Sequence, residues 1–74
     1  MSIFSERLLQ LQSEKKLLKK NIAQVLGVTY RHYQRYETGE IDPPTSKTIA
    51  LANLFDVSLD YLVGRTDNPD SHKN

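Results

Sequence analysis

Two glycines bracket the middle of this 74-residue sequence and restrict what it can build. Gly27 follows Ile22, Ala23 and Leu26, which share one face of a short helix, and stands where a chain leaves a helix through the left-handed region. Thr29 directly after it is a good N-cap, and Gly39 stops what Thr29 starts, so Tyr30 to about Thr38 reads as a separate short helix. Val28 can pack back on the turn. With small Ala23 in the first helix and apolar-faced Tyr33 in the second, the two helices can cross closely around Gly27, the second presented outward.

The flanks are helical too. Ile3 to Glu14 places Phe4, Leu8 and Leu11 on one face, with Ser2 or Ser5 as its cap, and Lys15 and Lys16 make a polar break before the helix that runs to Leu26. Residues 40–44 are turn-rich; the fourth helix starts either at Asp42-Pro43 or at Thr45, and Ile49, Ala52 and Phe55 mark its buried stripe. Ser58 caps a last short helix, Leu59 to about Gly64. Neither repeats nor strand-like alternation occur. The expectation is an all-α, compact five-helix bundle over residues 1–65, with a polar, flexible tail at 66–74 that carries His72. Without cysteine there is neither a disulfide nor a thiolate zinc site, so a chain this small must rely on well-packed helices, on oligomerising, or on both. No basic-then-apolar leader and no long apolar run are present, which points to the cytoplasm and away from a membrane.

Charge is unevenly placed. Between Lys15 and Tyr36 lie six basic residues (Lys15, Lys16, Lys19, Lys20, Arg31, Arg35) and no acid, whereas the rest holds four basic and all nine acidic residues. A local basic segment suits a phosphate backbone, where binding is driven by counterion release; a solvated, solubilising turn is the plainer reading. On the third helix, Tyr30, Arg31, Gln34, Arg35 and Thr38 fall within an arc of roughly 140°, with Tyr33, Tyr36 and Glu37 off it. Arginine can pair with guanine N7 and O6 and glutamine with adenine N6 and N7, each good pair discriminating by roughly 1–3 kcal/mol. His32 lies beside this arc. An exposed helix with no partner more usually carries Glu–Lys pairs, and this arc has no acid.

Ile22 to Thr29, Arg35-Tyr36-Glu37-Thr38-Gly39 and Val57 to Thr66 together resemble the phage-repressor (Cro and lambda-repressor type, XRE-like) helix-turn-helix family, over about Phe4 to Asn68 and almost without gaps. The resemblance implies a helix-turn-helix at helices two and three and a role for each matching position. Tyr30, Arg31, Gln34 and Arg35 would face base edges. Lys19, Thr29 and the amides near Gly39 would meet the DNA backbone; the acid-free basic segment adds Lys15, Lys16 and Lys20 as backbone candidates beside the resemblance, and Thr38 on the same arc is a further one. Leu59, Leu62 and Val63 would form a homodimer interface, with Leu62 also a candidate for the monomer core. The sequence departs from the family pattern at several places. Lys19 and Leu18 stand where Gln and a capping Ser are frequent, Tyr33 where Val or Ile is usual, and Gln12 where a basic partner for Glu37 is expected. Glu40 and Asp42 replace residues that are often basic. Leu9 and Leu18 are either isolated exposed leucines or part of a protein contact.

The expected function is therefore a sequence-specific, double-stranded DNA-binding regulator, a repressor acting as a dimer on a palindromic operator. The rival is a protein-interaction module, an antitoxin or anti-repressor adaptor, using the same fold; the acid-free arc discriminates between them. There is no Gly-rich phosphate loop, cysteine nucleophile or metal-spaced histidine group, so neither catalysis nor a cofactor is expected. Only ten residues follow Gly64, which leads to the expectation of control by concentration, a protein antagonist or DNA occupancy rather than a small effector.

Overall fold

A computed structural model describes residues 2–70. Five helices follow one another: α1 Ile3–Lys15, α2 Lys19–Leu26, α3 Tyr30–Thr38, α4 Thr45–Phe55 and α5 Leu59–Leu62. His72 and the rest of 71–74 lie outside the described residues.

Each boundary has a local cause. At the start of α1 the Ser2 hydroxyl accepts from the Ser5 amide at 3.1 Å, and the Ser5 hydroxyl accepts from the Ser2 amide at 3.0 Å. This reciprocal box satisfies two donors that a helix start leaves orphaned, and it decides between the two serines as cap. Gly27 and Gly39 end α2 and α3 with φ of 75° and 80°, the region that favours glycine. The fourth helix begins at Thr45, with Pro44 as a cap that offers no side-chain hydrogen bond. Ser58 caps α5 by accepting from the Tyr61 amide at 3.0 Å. The helix closes at Leu62 rather than Gly64, because Arg65 N–H returns to the Asp60 carbonyl at 2.8 Å and Gly64 takes the left-handed turn.

One core joins all five elements: Leu8 and Leu11 from α1, Ile22, Ala23 and Leu26 from α2, Tyr33 and Tyr36 from α3, Leu51, Ala52 and Phe55 from α4, and Tyr61 and Leu62 from α5, with Val57 between. The expected stripe of α4 needs correction. Ile49 is 44% exposed, and the inward face is Thr48, Leu51, Ala52 and Phe55. These four cluster within an arc of roughly 100°, and Ile49 lies about 60° beyond its edge at Ala52. The α4 start is held by the Lys47 ammonium, which donates to the Leu26 carbonyl at 2.7 Å at the end of α2.

Arg7 was silent in the sequence and is a tertiary hub. Its guanidinium donates to the Tyr61 carbonyl, to the Thr66 carbonyl at 2.6 Å and to the Asp67 carboxylate at 2.8 Å, and lies 4.1 Å from the centre of the Tyr61 ring. Together with the Ser58 amide, which donates to the Pro69 carbonyl at 3.0 Å, it ties residues 66–69 to α1 and α5.

Candidate nucleic-acid interface

The α2–turn–α3 unit is set by backbone chemistry. Gly27 turns the chain, Val28 N–H returns to the Ala23 carbonyl at 3.1 Å, and the Thr29 hydroxyl accepts from the His32 amide at 3.0 Å to start α3. Tyr33 and Tyr36 point inward and meet edge to face, ring centres 6.2 Å apart, which orients the opposite face of α3 to solvent. That face carries Tyr30, Arg31, Gln34, Arg35 and Thr38, all exposed. Arg31, Gln34, Arg35 and Thr38 line one shallow concavity, with Glu40 at its edge. His32 is half-buried, its ring edge-to-face on Tyr36 at 5.1 Å.

Tyr33 is accommodated rather than displaced. Its side chain is fully buried and its phenol donates to Gln12 Oε1 on α1, also buried. Burial, reinforced by the nearby Glu37 carboxylate, pushes the Tyr33 phenol above its ordinary pKa. Burial acts in the same direction on Tyr36. Gln12, which cannot neutralise Glu37, instead satisfies the hydroxyl that Tyr33 brings in. The Glu37 side chain is 6% exposed, its Oε2 lacks a hydrogen-bond donor, and the Lys19 ammonium stands 3.6 Å away with its side chain 45% exposed. The cation expected from α1 thus comes from the first residue of α2, a position the resemblance assigns to DNA phosphate.

The other backbone candidates separate. Lys19 and Lys20 line an open cleft of about 570 Å³ with Leu17, Leu18 and Tyr30, next to the start of α3. Lys15 lines a different groove, with Glu14, Asp56 and Asp70 among its neighbours and none of the α3 residues. Lys16 is exposed and ends α1 in the left-handed conformation, φ 56°. The hydroxyl of Thr38 donates to the Arg35 carbonyl at 3.2 Å, and the Gly39 amide donates to the Tyr36 carbonyl at 3.2 Å, so both close the helix end internally. Glu40 approaches Arg35 at 3.9 Å, an exposed pairing that holds an acid beside the arc.

Of the three dimer candidates, Leu62 needs correction. It is 0% exposed and consumed by the monomer core, so it offers no surface to a second chain. Leu59 and Val63 are exposed, and Val63 shares a groove with Ile3, Phe4 and Pro43. Ile3 is the residue sequence reasoning missed: it reads as the first turn of α1, and only folding sets it against Gly64. Among the described residues no group of acids and histidines could hold a metal ion, and no helix is long and apolar enough to cross a membrane.

Comparison with known proteins agrees with this geometry. The Helix-turn-helix family matches residues 9–62, from within α1 to the end of α5. The chain is 40% identical over 68 residues to the uncharacterized HTH-type transcriptional regulator YobD of Bacillus subtilis, covering 92% of this chain and 61% of that protein. It is 41% identical over 66 residues to YqaE of the same organism, 89% and 57% of the two chains. It is 30% identical over 59 residues to the cryptic phage CTXphi transcriptional repressor RstR of Vibrio cholerae, 76% and 53%. The chain thus spans about half to three-fifths of the length of the curated relatives it matches. No solved structure matches it significantly. A five-helix core with a glycine turn at 27, an outward third helix and a match across 9–62 make this chain a member of the helix-turn-helix family, of the phage-repressor type.

Proposed function

We propose that this protein is a sequence-specific transcriptional regulator, a repressor, that reads the major groove of double-stranded DNA with α3 and binds a palindromic operator as a dimer. The observation that carries the reading is the outward face of α3, where Arg31, Gln34 and Arg35 stand exposed on a helix whose one acid, Glu37, is turned inward. Arg31 and Arg35 would pair with guanine, Gln34 with adenine, and Tyr30 would meet the outer base of each half-site. Lys16, Lys19, Lys20 and Thr29 would follow the backbone, with Thr38 and Gly39 in packing contact because their donors close the helix end, and Lys15 a minor contributor because of the acids around it. Leu59 and Val63, with Ile3 and Pro43 beside Val63, would meet their symmetry mates and place two α3 helices one helical turn apart, about 34–36 Å.

The test is selection of bound duplexes from a random pool at two salt concentrations. The expected result is an enriched palindrome whose affinity falls steeply with salt and is lost in the double variant Arg31→Ala/Arg35→Ala. Enrichment of no sequence, with retained binding of a protein partner by that variant, would instead support an antitoxin-like or adaptor role.

A further inference from the structure

The cleft formed by Leu17, Leu18, Lys19, Lys20 and Tyr30 is not used by any hydrogen-bonding step of base reading. Leu18 is 58% exposed and Tyr30 47%, and together with Leu17 they give the cleft an apolar floor and wall. Leu18 is also the N-cap of α2 and supplies no side-chain hydrogen bond there, although Ser, Thr, Asp or Asn at that place would stabilise the helix. A leucine in a capping position breaks a local rule. Such breaks concentrate where function requires them.

What fits there is constrained from both sides. The side chains of Lys19 and Lys20 line the cleft, the Lys19 ammonium reaching toward Glu37 at 3.6 Å, and no acid lies in the sequence from Lys15 to Tyr36, which suits a polyanion and disfavours an acid-poor apolar peptide. One wall, Tyr30, opens the base-facing arc of α3; the opposite wall is the start of α2, which faces the phosphates. The apolar group that projects into the major groove between base edge and backbone is the C5-methyl of a pyrimidine. We propose that this cleft receives the C5-methyl of a thymine at the outer edge of each half-site, making Leu18 a specificity-determining residue that reads DNA without a hydrogen bond. The inference rests on the major-groove reading proposed above.

The experiment uses the full chain and the operator obtained by selection. Each thymine is replaced in turn by uracil, which removes only the methyl, and each outer cytosine by 5-methylcytosine. Burying one methyl corresponds to about fourfold in affinity for one half-site and about fifteenfold when both carry the change. The expected result is one outer position where uracil weakens binding by that factor, with the thymine-to-uracil ratio falling to one in Leu18→Ser. Circular dichroism of that variant checks that the helices are kept. Equal binding of thymine and uracil duplexes at every position would overturn the inference and leave the operator-reading proposal standing. So would a ratio that persists undiminished in Leu18→Ser, because another residue would then be reading the methyl. A uniform loss of affinity in Leu18→Ser with no methyl effect would also overturn it, assigning the cleft to the sugar–phosphate chain. Selection of no operator at all would overturn both proposals.

Discussion

Replacing Lys19 by methionine tests the least expected contact in the structure. The variant keeps the aliphatic stem of Lys19 and removes its ammonium, leaving the buried Glu37 carboxylate with no cation at 3.6 Å and an Oε2 that already lacks a hydrogen-bond donor. At that distance the attraction is about 1 kcal/mol at the dielectric constant of water and about 5 kcal/mol at an effective value of about 20. Because one partner is buried and the other half in solvent, the loss should lie between these limits, at about 1–3 kcal/mol. In a chain of this size, each 1 kcal/mol lowers the melting temperature by about 4–8 °C. Urea unfolding of the parent, Lys19→Met, Glu37→Gln and the double variant closes a cycle. The double variant should recover at least about 1 kcal/mol relative to the sum of the singles, because glutamine carries no charge to strand. The same proteins titrated with operator DNA at several salt concentrations give a second readout. If Lys19 also meets a phosphate, Lys19→Met lowers the salt slope by about one unit. A cycle with no coupling, or Lys19→Met as stable as the parent, would refute the pairing and with it the idea that α2 supplies the cation that α1 lacks.

Four further outcomes are expected. Tyr33 and Tyr36 have phenols whose folded-state pKa is raised, so the stability they confer is complete below the unfolded value of about 10 and is lost as pH rises above it; alkaline unfolding followed by circular dichroism should show this onset, and a stability flat through that window would contradict it. Glu40→Gln removes the acid 3.9 Å from Arg35 and should tighten operator binding severalfold, up to about fivefold; weaker binding by titration would show that Glu40 instead positions the arginine. Gly64→Ala must place a Cβ 2.7 Å from Ile3 Cγ2 at φ +89°, and should cost about 2 kcal/mol or more in chemical denaturation. Leu18→Ser supplies the cap that α2 lacks and should add about 1 kcal/mol of stability, a gain that thermal unfolding would detect.

The five helices and several of their ends were legible in the sequence because they depend on neighbours in the chain, whereas the cap of α1, the start of α4 and the end of α5 were settled by the structure. Thr29, Ser58, Gly27 and Gly39 each act on backbone groups a few residues away, and the structure uses all four where local chemistry places them. The exposed arc of α3 follows for the same reason: once the helix exists, its period puts Tyr30, Arg31, Gln34, Arg35 and Thr38 on one side. What depended on distant residues was not legible. The pairing of Lys19 with Glu37, of Tyr33 with Gln12 and of Arg7 with residues 61, 66 and 67 joins helices whose approach no local pattern specifies. The inward face of α4, which takes Leu51 and leaves Ile49 in solvent, was decided by packing against the other helices, because both residues are apolar and periodicity alone permits either. Leu62 and Val63 are adjacent and similarly apolar, yet one is sealed in the core and the other lies on the surface. Sequence therefore determined the elements and the chemistry they carry; tertiary structure decided which charges neutralise one another and which apolar groups remain free for a partner, because both depend on desolvation and distance across the bundle.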